Sequence, residues 1–377
     1  MSIYLCGVFN GPLTGQLQTL LGIEEALNIK YSLKKVKYPP LNIYFIFSWL
    51  IFIIKTLFTV ANKRDIFYVV IHRSRLSFWL RDLPIFVIAS IYKSKIICHL
   101  VGSDIEEFVK GSSLLEKFLL KKFYSNISSW ILLGDSMNKQ VIESYKFLGI
   151  ENNSKCFNQG KLTSYFLRGF YSNETEQYIQ DSLMNEKLLK FGSNLKISYM
   201  SNLMEDKGIV EFIESMIFLR EETDINIEVF IAGAIIENSS DRLKKALKKA
   251  SEKSYINFLG LVQGKEKWEL LFETDIFILP SYYKTEALPL SLIEAMRFGC
   301  LCISSNIGEI NDLLKDGRGI IIEDVNTKNL IDTVKLAISD FDSSKSKMMN
   351  SFNYAEINFS RGTYNKNLID IIDRHMD

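Results

Sequence analysis

Histidine is nearly absent from this chain: three in 377 residues, at His72, His99 and His375. None has carboxylates around it at metal-ligand spacing, so no metal site can be read from the sequence and none is expected. Cysteine is also scarce. The five are Cys6, Cys98, Cys156, Cys300 and Cys302, an odd number lying mostly in apolar, strand-like runs. Reduced core thiols are expected, not a disulfide framework, and Cys300 and Cys302 have no second pair nearby to complete a zinc site. Net charge is close to nothing, +1, which argues against nucleic acid as a partner. Repeats, low-complexity tracts, a Walker A loop and a G-x-G-x-x-G fingerprint are all missing. "MSIYLCGVF" lacks the basic start and cleavage site of a secretion signal, so a cytoplasmic location is expected.

No apolar run is long enough to span a bilayer. The longest, within "LNIYFIFSWLIFIIKTLFTVA" (41–61), runs from Ile43 to Ile54 with Ser48 inside it and Lys55 after it. A spanning helix needs about 20 apolar residues. Two readings stay open: a buried helix, or one lying partly in a membrane interface with Tyr44, Trp49 and the phenylalanines at its surface.

The length fits two domains, and 47% hydrophobic with 24% charged residues is ordinary for globular proteins. Charge is unevenly placed. Residues 1–185 sum to +7 and the remainder to −6. A basic first half suggests an anionic partner, a membrane surface or a phosphorylated substrate.

Strands alternate with helices throughout. "SIYLCGVF" (2–9), "DIFYVVI" (65–71), "SKIICHL" (94–100) and "SSWILLG" (128–134) read as strands of a first half, with "GQLQTLLGIEEALN" (15–28) as a helix between them. The polar stretch 171–194 reads as a linker with some helix. A second series follows: 195–203, 226–233, 255–260, 275–280, 300–304 and 319–323. The expected fold is α/β: two doubly wound, Rossmann-like domains facing across a cleft, spanning 1–185 and 190–357, with a terminal helix 360–377 packing back on the first. Such sheets bind ligands beyond the carboxyl ends of their strands.

At one such end stands "TEALPLSLIEAM" (285–296), with Glu286 in the loop after a buried strand and Glu294 in the following helix. Pro289 suits a helix start, where its missing N–H costs nothing. No side chain that caps well precedes it, so the free N–H groups there suit a phosphate. After the strand at 195–203, Lys207 and Gly208 sit where a loop becomes a helix, a place for a cation facing a diphosphate. In the first half, Gly11, Pro12 and Gly15 form a glycine-containing turn between strand and helix.

The ordered set "YMSNLMEDKG", "INFLGLV", "DIFILPSYYKTEALPLSLIEAMRFG" and "SSNIGEINDLLKDGRGIII" resembles the C-terminal domain of the family 4 glycosyltransferases, retaining nucleotide-sugar enzymes of the GT-B fold. "GPLTGQLQ" and "CHLVGSDIEEF" resemble that family's N-terminal loops more weakly. The resemblance implies that Glu294 binds the ribose hydroxyls and Glu286 faces the donor sugar. Backbone N–H groups around Ala287, Leu288, Pro289 and Leu290 would hold sugar and diphosphate, Lys207 would neutralise the leaving diphosphate, and Gly15 would let the N-terminal loop close over it. Two departures stand out. Asn202 occupies the place where the family often has a diphosphate-binding arginine. Val101 stands where it commonly has a histidine; His99, two residues earlier on the same strand face, either substitutes or is simply a strand histidine. Asp104 is a candidate substrate contact.

The expected function is transfer of a sugar with retention, without metal or other cofactor, from a nucleotide diphosphate sugar (UDP-linked) to a saccharide acceptor. That acceptor is expected to be lipid-linked, in surface polysaccharide or O-antigen assembly, with the enzyme peripheral on the inner membrane face. The alternatives are a nucleotide-sugar epimerase of the same fold and a non-catalytic GT-B subunit.

Overall fold

A computed structural model describes residues 2–9, 15–38, 45–59, 65–71, 75–102, 104–150, 154–158, 161–171, 175, 179, 183–192, 194–236 and 240–376. The chain divides into two units, 1–169 with 362–377, and 170–361.

The first unit is built on a parallel sheet of six strands: β1 (Ile3–Gly7), β2 (Leu33–Lys37), β3 (Ile66–Val70), β4 (Lys95–His99), β5 (Ser129–Leu132) and β8 (Ser164–Phe166), in the order β2-β1-β3-β4-β5-β8. Two short strands, β6 (Phe157–Asn158) and β7 (Lys161–Leu162), form an antiparallel pair beside it. Every residue of β1, β3 and β5 is buried. That is why these strands are apolar apart from Ser129, whose hydroxyl is hydrogen-bonded: helices cover both faces. β2 and β8 were not foreseen. The "LKKVK" of β2 buries only Val36, as an edge strand can, and β8 is three residues long.

The final helix, Arg361–Asp373, counts almost wholly with this first unit. Lys30 Nζ lies 2.6 Å from Asp373 Oδ2, Ser129 Oγ 2.9 Å from His375 Nε2, and Lys95 donates to the His375 carbonyl at 2.8 Å. The expected boundary near 185 is corrected to 169/170. Tyr171, Leu183 and Met184 are buried in the second core, and the Tyr171 N–H donates to the Phe359 carbonyl at 3.2 Å. Polar neighbours hide this in the sequence: the helix Leu183–Lys190 even buries Lys187, whose ammonium donates to the carbonyls of Leu271 and Thr274.

The 41–61 segment contains a helix, Phe45–Thr59. Phe52 and Thr56 are buried, and Trp49 Nε1 donates to the Leu80 carbonyl at 2.6 Å. Phe47, Leu50, Ile51 and Ile54 are exposed, so this helix is core on one side only. Tyr44 lies outside the described residues. Among the described residues no helix is long and apolar enough to cross a membrane.

The second unit repeats the architecture: β9 (Leu195–Met200), β10 (Ile227–Ala232), β11 (Ile256–Gly260), β12 (Ile276–Leu279), β13 (Leu301–Ser305) and β14 (Ile320–Ile322), all parallel, in the order β11-β10-β9-β12-β13-β14. Strand order reverses between β9 and β12. Connections leave these neighbours in opposite directions, and the chain opens a crevice at their carboxyl ends. All five cysteines are free and buried.

Candidate active site

The loops leaving β9 and β12 meet at that switch point. After β9 the chain makes a 3-10 turn, Glu205–Lys207, and enters the helix Ile209–Glu221 through Gly208. Gly208 has φ +73°, and a Cβ there would meet the Pro280 carbonyl oxygen at 2.0 Å. Only glycine allows this loop so close to the end of β12. The Tyr282 N–H donates to the Asp206 carbonyl at 2.8 Å, and the Tyr199 hydroxyl bonds the carbonyls of Asn202 and Lys207 at 3.3 Å. Arg242 ties the turn from outside through Glu205 and Glu211, at 3.1 and 2.9 Å.

Lys207 is thereby placed over the Tyr283 ring, 4.6 Å from its centroid, with Nζ 2.5 Å from Glu286 Oε2. Both side chains are largely buried. The Ser281 hydroxyl donates to the same carboxylate oxygen at 3.0 Å, and the Glu286 N–H donates to the Tyr283 carbonyl at 2.8 Å. Behind the loop, Gly308 at φ +57° lies so near the Glu286 and Ala287 carbonyls that a Cβ would approach them at 2.3 and 2.5 Å. The Glu309 N–H donates to the Ala287 carbonyl at 2.8 Å. A cavity of about 340 Å³ adjoins Ser281, lined also by Glu211, Asn306 and Glu323.

Ala287 is buried; Leu288, Pro289 and Leu290 are half-buried and lead into the helix Leu290–Arg297. Pro289 takes the N-cap position and supplies no side-chain cap, so the first N–H groups remain for a ligand. Glu294 is buried in this helix, its Oε1 2.6 Å from Lys267 Nζ. Thus the two carboxylates of the motif are both ion-paired, Glu286 to Lys207 and Glu294 to Lys267.

Asn202 is exposed at the loop's start. The remaining expected site residues belong to the first unit. Gly15 begins the helix Gly15–Asn28; Gly11 and Pro12 lie outside the described residues. Asp104, half-buried, is the N-cap residue of the helix Ile105–Gly111 without a side-chain capping bond. For His99 the structure corrects the expectation of a catalytic group. The ring is fully buried on β4, with Nδ1 2.8 Å from the Tyr68 hydroxyl. Burial pushes its pKa down to about 3, so it is a neutral core histidine.

Sequence reasoning missed Lys267, Ser281, Tyr283 and the Gly308 contact. Only Gly308 left a trace there, as the glycine of "NIGEI"; the ion pair of Lys267 with Glu294 depends on helix packing that no local pattern records.

Residues 181–355 match the family model described as "Glycosyl transferases group 1", so the second unit carries a domain of that family. A Staphylococcus aureus protein, capsular polysaccharide biosynthesis glycosyltransferase CapH, is 32% identical over 124 residues, covering 31% of this chain and 33% of that one. The N,N'-diacetylbacillosaminyl-diphospho-undecaprenol alpha-1,3-N-acetylgalactosaminyltransferase of Campylobacter jejuni is 26% identical over 211 residues, covering 54% of this chain and 50% of its own. The matches thus span between a third and a half of these relatives' lengths. Among solved structures, Anabaena Alr3699/HepE in complex with UDP and glucose superimposes over 99% of this chain and 100% of its own, with TM-score 0.70 and 14% identity. At that identity the likeness shows the fold, the GT-B type.

Proposed function

We propose that the chain is a retaining glycosyltransferase that moves a sugar from a nucleotide diphosphate sugar, UDP-linked, to a hydroxyl of a saccharide acceptor carried on lipid, in surface polysaccharide assembly. The observation that carries this reading is the Lys207–Glu286 pair at the switch point, beside an uncapped helix start.

The diphosphate of the donor takes Glu286's place on Lys207 and lies against the N–H groups at the start of Leu290–Arg297. Freed from the ammonium, Glu286 accepts hydroxyls of the donor sugar. Glu294 exchanges Lys267 for the vicinal hydroxyls of the ribose, which a carboxylate binds well. The bond from the anomeric carbon to the diphosphate oxygen breaks while the acceptor oxygen bonds that carbon on the same face. The acceptor proton passes to the departing diphosphate. Lys207 and the helix start bear the charge that develops there, so no metal takes part in this scheme. The first unit binds the acceptor. Two relatives support the substrate classes: one is named for capsular polysaccharide, and the other for a diphospho-undecaprenol acceptor.

The test is a panel of nucleotide sugars with membrane extract, read by mass spectrometry. Transfer, or slow donor hydrolysis, that persists in EDTA is the expected result. An isomeric nucleotide sugar identifies an epimerase instead, and no chemistry with any donor leaves a binding subunit.

A further inference from the structure

Three neighbouring helical stretches of the first unit share one surface character. The helix Phe45–Thr59 exposes Phe47, Leu50, Ile51 and Ile54, spaced as a single helical stripe. Beside it runs the stretch 75–93, joined by the Trp49–Leu80 bond and by the Tyr92 hydroxyl donating to the Leu57 carbonyl at 2.8 Å. Its helix Leu83–Ile91 exposes Val87 and Ile91. The third stretch, the helix Leu114–Tyr124, is fastened to the second where Trp79 Nε1 donates to Glu116 Oε1 at 3.0 Å. It exposes Leu114 (88%), Leu115 and Phe118 (63%). Nothing in folding such a helix requires side chains this apolar in water, and apolar surface shared by adjacent elements marks an interaction site.

The charges on these stretches decide what the partner is. Their only carboxylates, Asp82 and Glu116, are both buried, 1% and 4% exposed. The exposed charges are Lys55, Lys93, Lys121 and Lys122, together with Arg75, whose side chain is 60% exposed. Apolar side chains on stretches whose own exposed charges are all cations suit an interface of acyl chains beneath anionic headgroups. A protein partner of ordinary composition would not demand the removal of every exposed carboxylate.

We propose that these three stretches form a docking face for an anionic lipid bilayer, with Leu114, Leu115 and Phe118 inserted at the headgroup–acyl boundary and Lys121 and Lys122 held at the headgroups. This rests, for its purpose, on the lipid-linked acceptor proposed above: the face would hold the first unit where such an acceptor resides. Attraction to the anionic surface is expected to contribute roughly fivefold in affinity per basic residue and to weaken with salt, while the apolar part resists salt.

The experiment is flotation of the full chain, without donor or acceptor, with phosphatidylcholine vesicles and with vesicles containing phosphatidylglycerol, at low and high salt. Donor hydrolysis is measured on the same samples in solution. The chain should float with the anionic vesicles and release partly in high salt. Leu114→Ser/Leu115→Ser/Phe118→Ser should weaken flotation roughly tenfold or more and leave donor hydrolysis unchanged. Should that variant lose its melting transition, Lys121→Glu/Lys122→Glu decides: lost flotation supports the face, and retained flotation overturns it. The proposal is also overturned if the wild type stays unbound, or if light scattering finds a dimer that the apolar variant makes monomeric. A chain that floats but turns over no donor refutes the proposed function and leaves the docking face standing; one that hydrolyses donor but never floats does the reverse.

Discussion

Lys207 and Glu286 stand 79 positions apart in sequence and 2.5 Å apart in space, and each is the other's counter-ion. A buried pair of this kind is poised for exchange. In the proposed reaction an incoming diphosphate would give the lysine a better partner and free the carboxylate at the moment a sugar needs it. Both residues are therefore held ready at low cost in the ligand-free chain, since neither charge is left buried alone.

Lys207→Ala should lower turnover by about 10²-fold or more, the scale of one good electrostatic donor in a water-poor site. It should also lower Tm, because Glu286 is left buried without its ammonium partner; breaking a buried pair costs on the order of 3 kcal/mol. Lys207→Met/Glu286→Gln removes both charges and should regain most of the Tm but none of the turnover. Recovery of activity in the double variant would show that the pair is only structural.

Glu294→Ala should weaken UDP binding more than tenfold, measured by calorimetry, since charge-assisted hydrogen bonds contribute roughly 1.5–3 kcal/mol each. Lys267→Met tests the exchange from the other side. It removes the competitor for Glu294, so UDP binding should hold or tighten while Tm falls. Loss of UDP binding in Lys267→Met would mean that the lysine itself contacts the nucleotide.

The alternation of apolar runs and helices made both sheets legible, because strands buried on two faces cannot hide among polar residues. β2 escaped because an edge strand buries one residue in five, and its three lysines look like loop. At the site, Glu286, Glu294 and Lys207 were readable as residue types at strand ends. Their partners were not. Which lysine faces which glutamate is fixed by how the helix Gly264–Glu273 lies against Leu290–Arg297 and how closely two loops approach, and neither is periodic in sequence. His99 shows the converse. Its place beside a family motif suggested chemistry, while its burial against Tyr68 is a property of the packed sheet alone.

Gly308→Ala should raise the donor KM several-fold and lower Tm. The new Cβ meets two backbone oxygens, those of Glu286 and Ala287, and neither can swing aside as a side chain would. Part of the Tm loss is the left-handed conformation itself, about 1–2 kcal/mol. Gly149→Ala isolates that part: φ is +63°, yet the nearest atom is the flexible end of Lys121 at 3.7 Å. It should lower Tm and leave KM alone. An unchanged KM in Gly308→Ala would mean that the loop holding Glu286 tolerates displacement.

The pH dependence of stability separates the two readings of His99. Its folded pKa is about 3, against 6.5 unperturbed, through burial. Above 6.5 neither state holds the proton. As pH falls below that value, the unfolded chain takes up a proton that the folded chain refuses. Stability therefore drops with falling pH from about 6.5 towards 3, by up to ~1.4 kcal/mol per pH unit for this one group. His375 is also shifted down, by burial and by Lys95, and adds a slope of the same sign. The comparison must therefore be with a variant: His99→Gln should lose part of the slope between pH 6.5 and 5 in urea unfolding while His375 keeps the rest. Turnover of His99→Gln at neutral pH should stay within about threefold of wild type, because a fully buried ring does not reach a substrate. A fall of 10²-fold or more with Tm preserved would restore His99 to the chemistry.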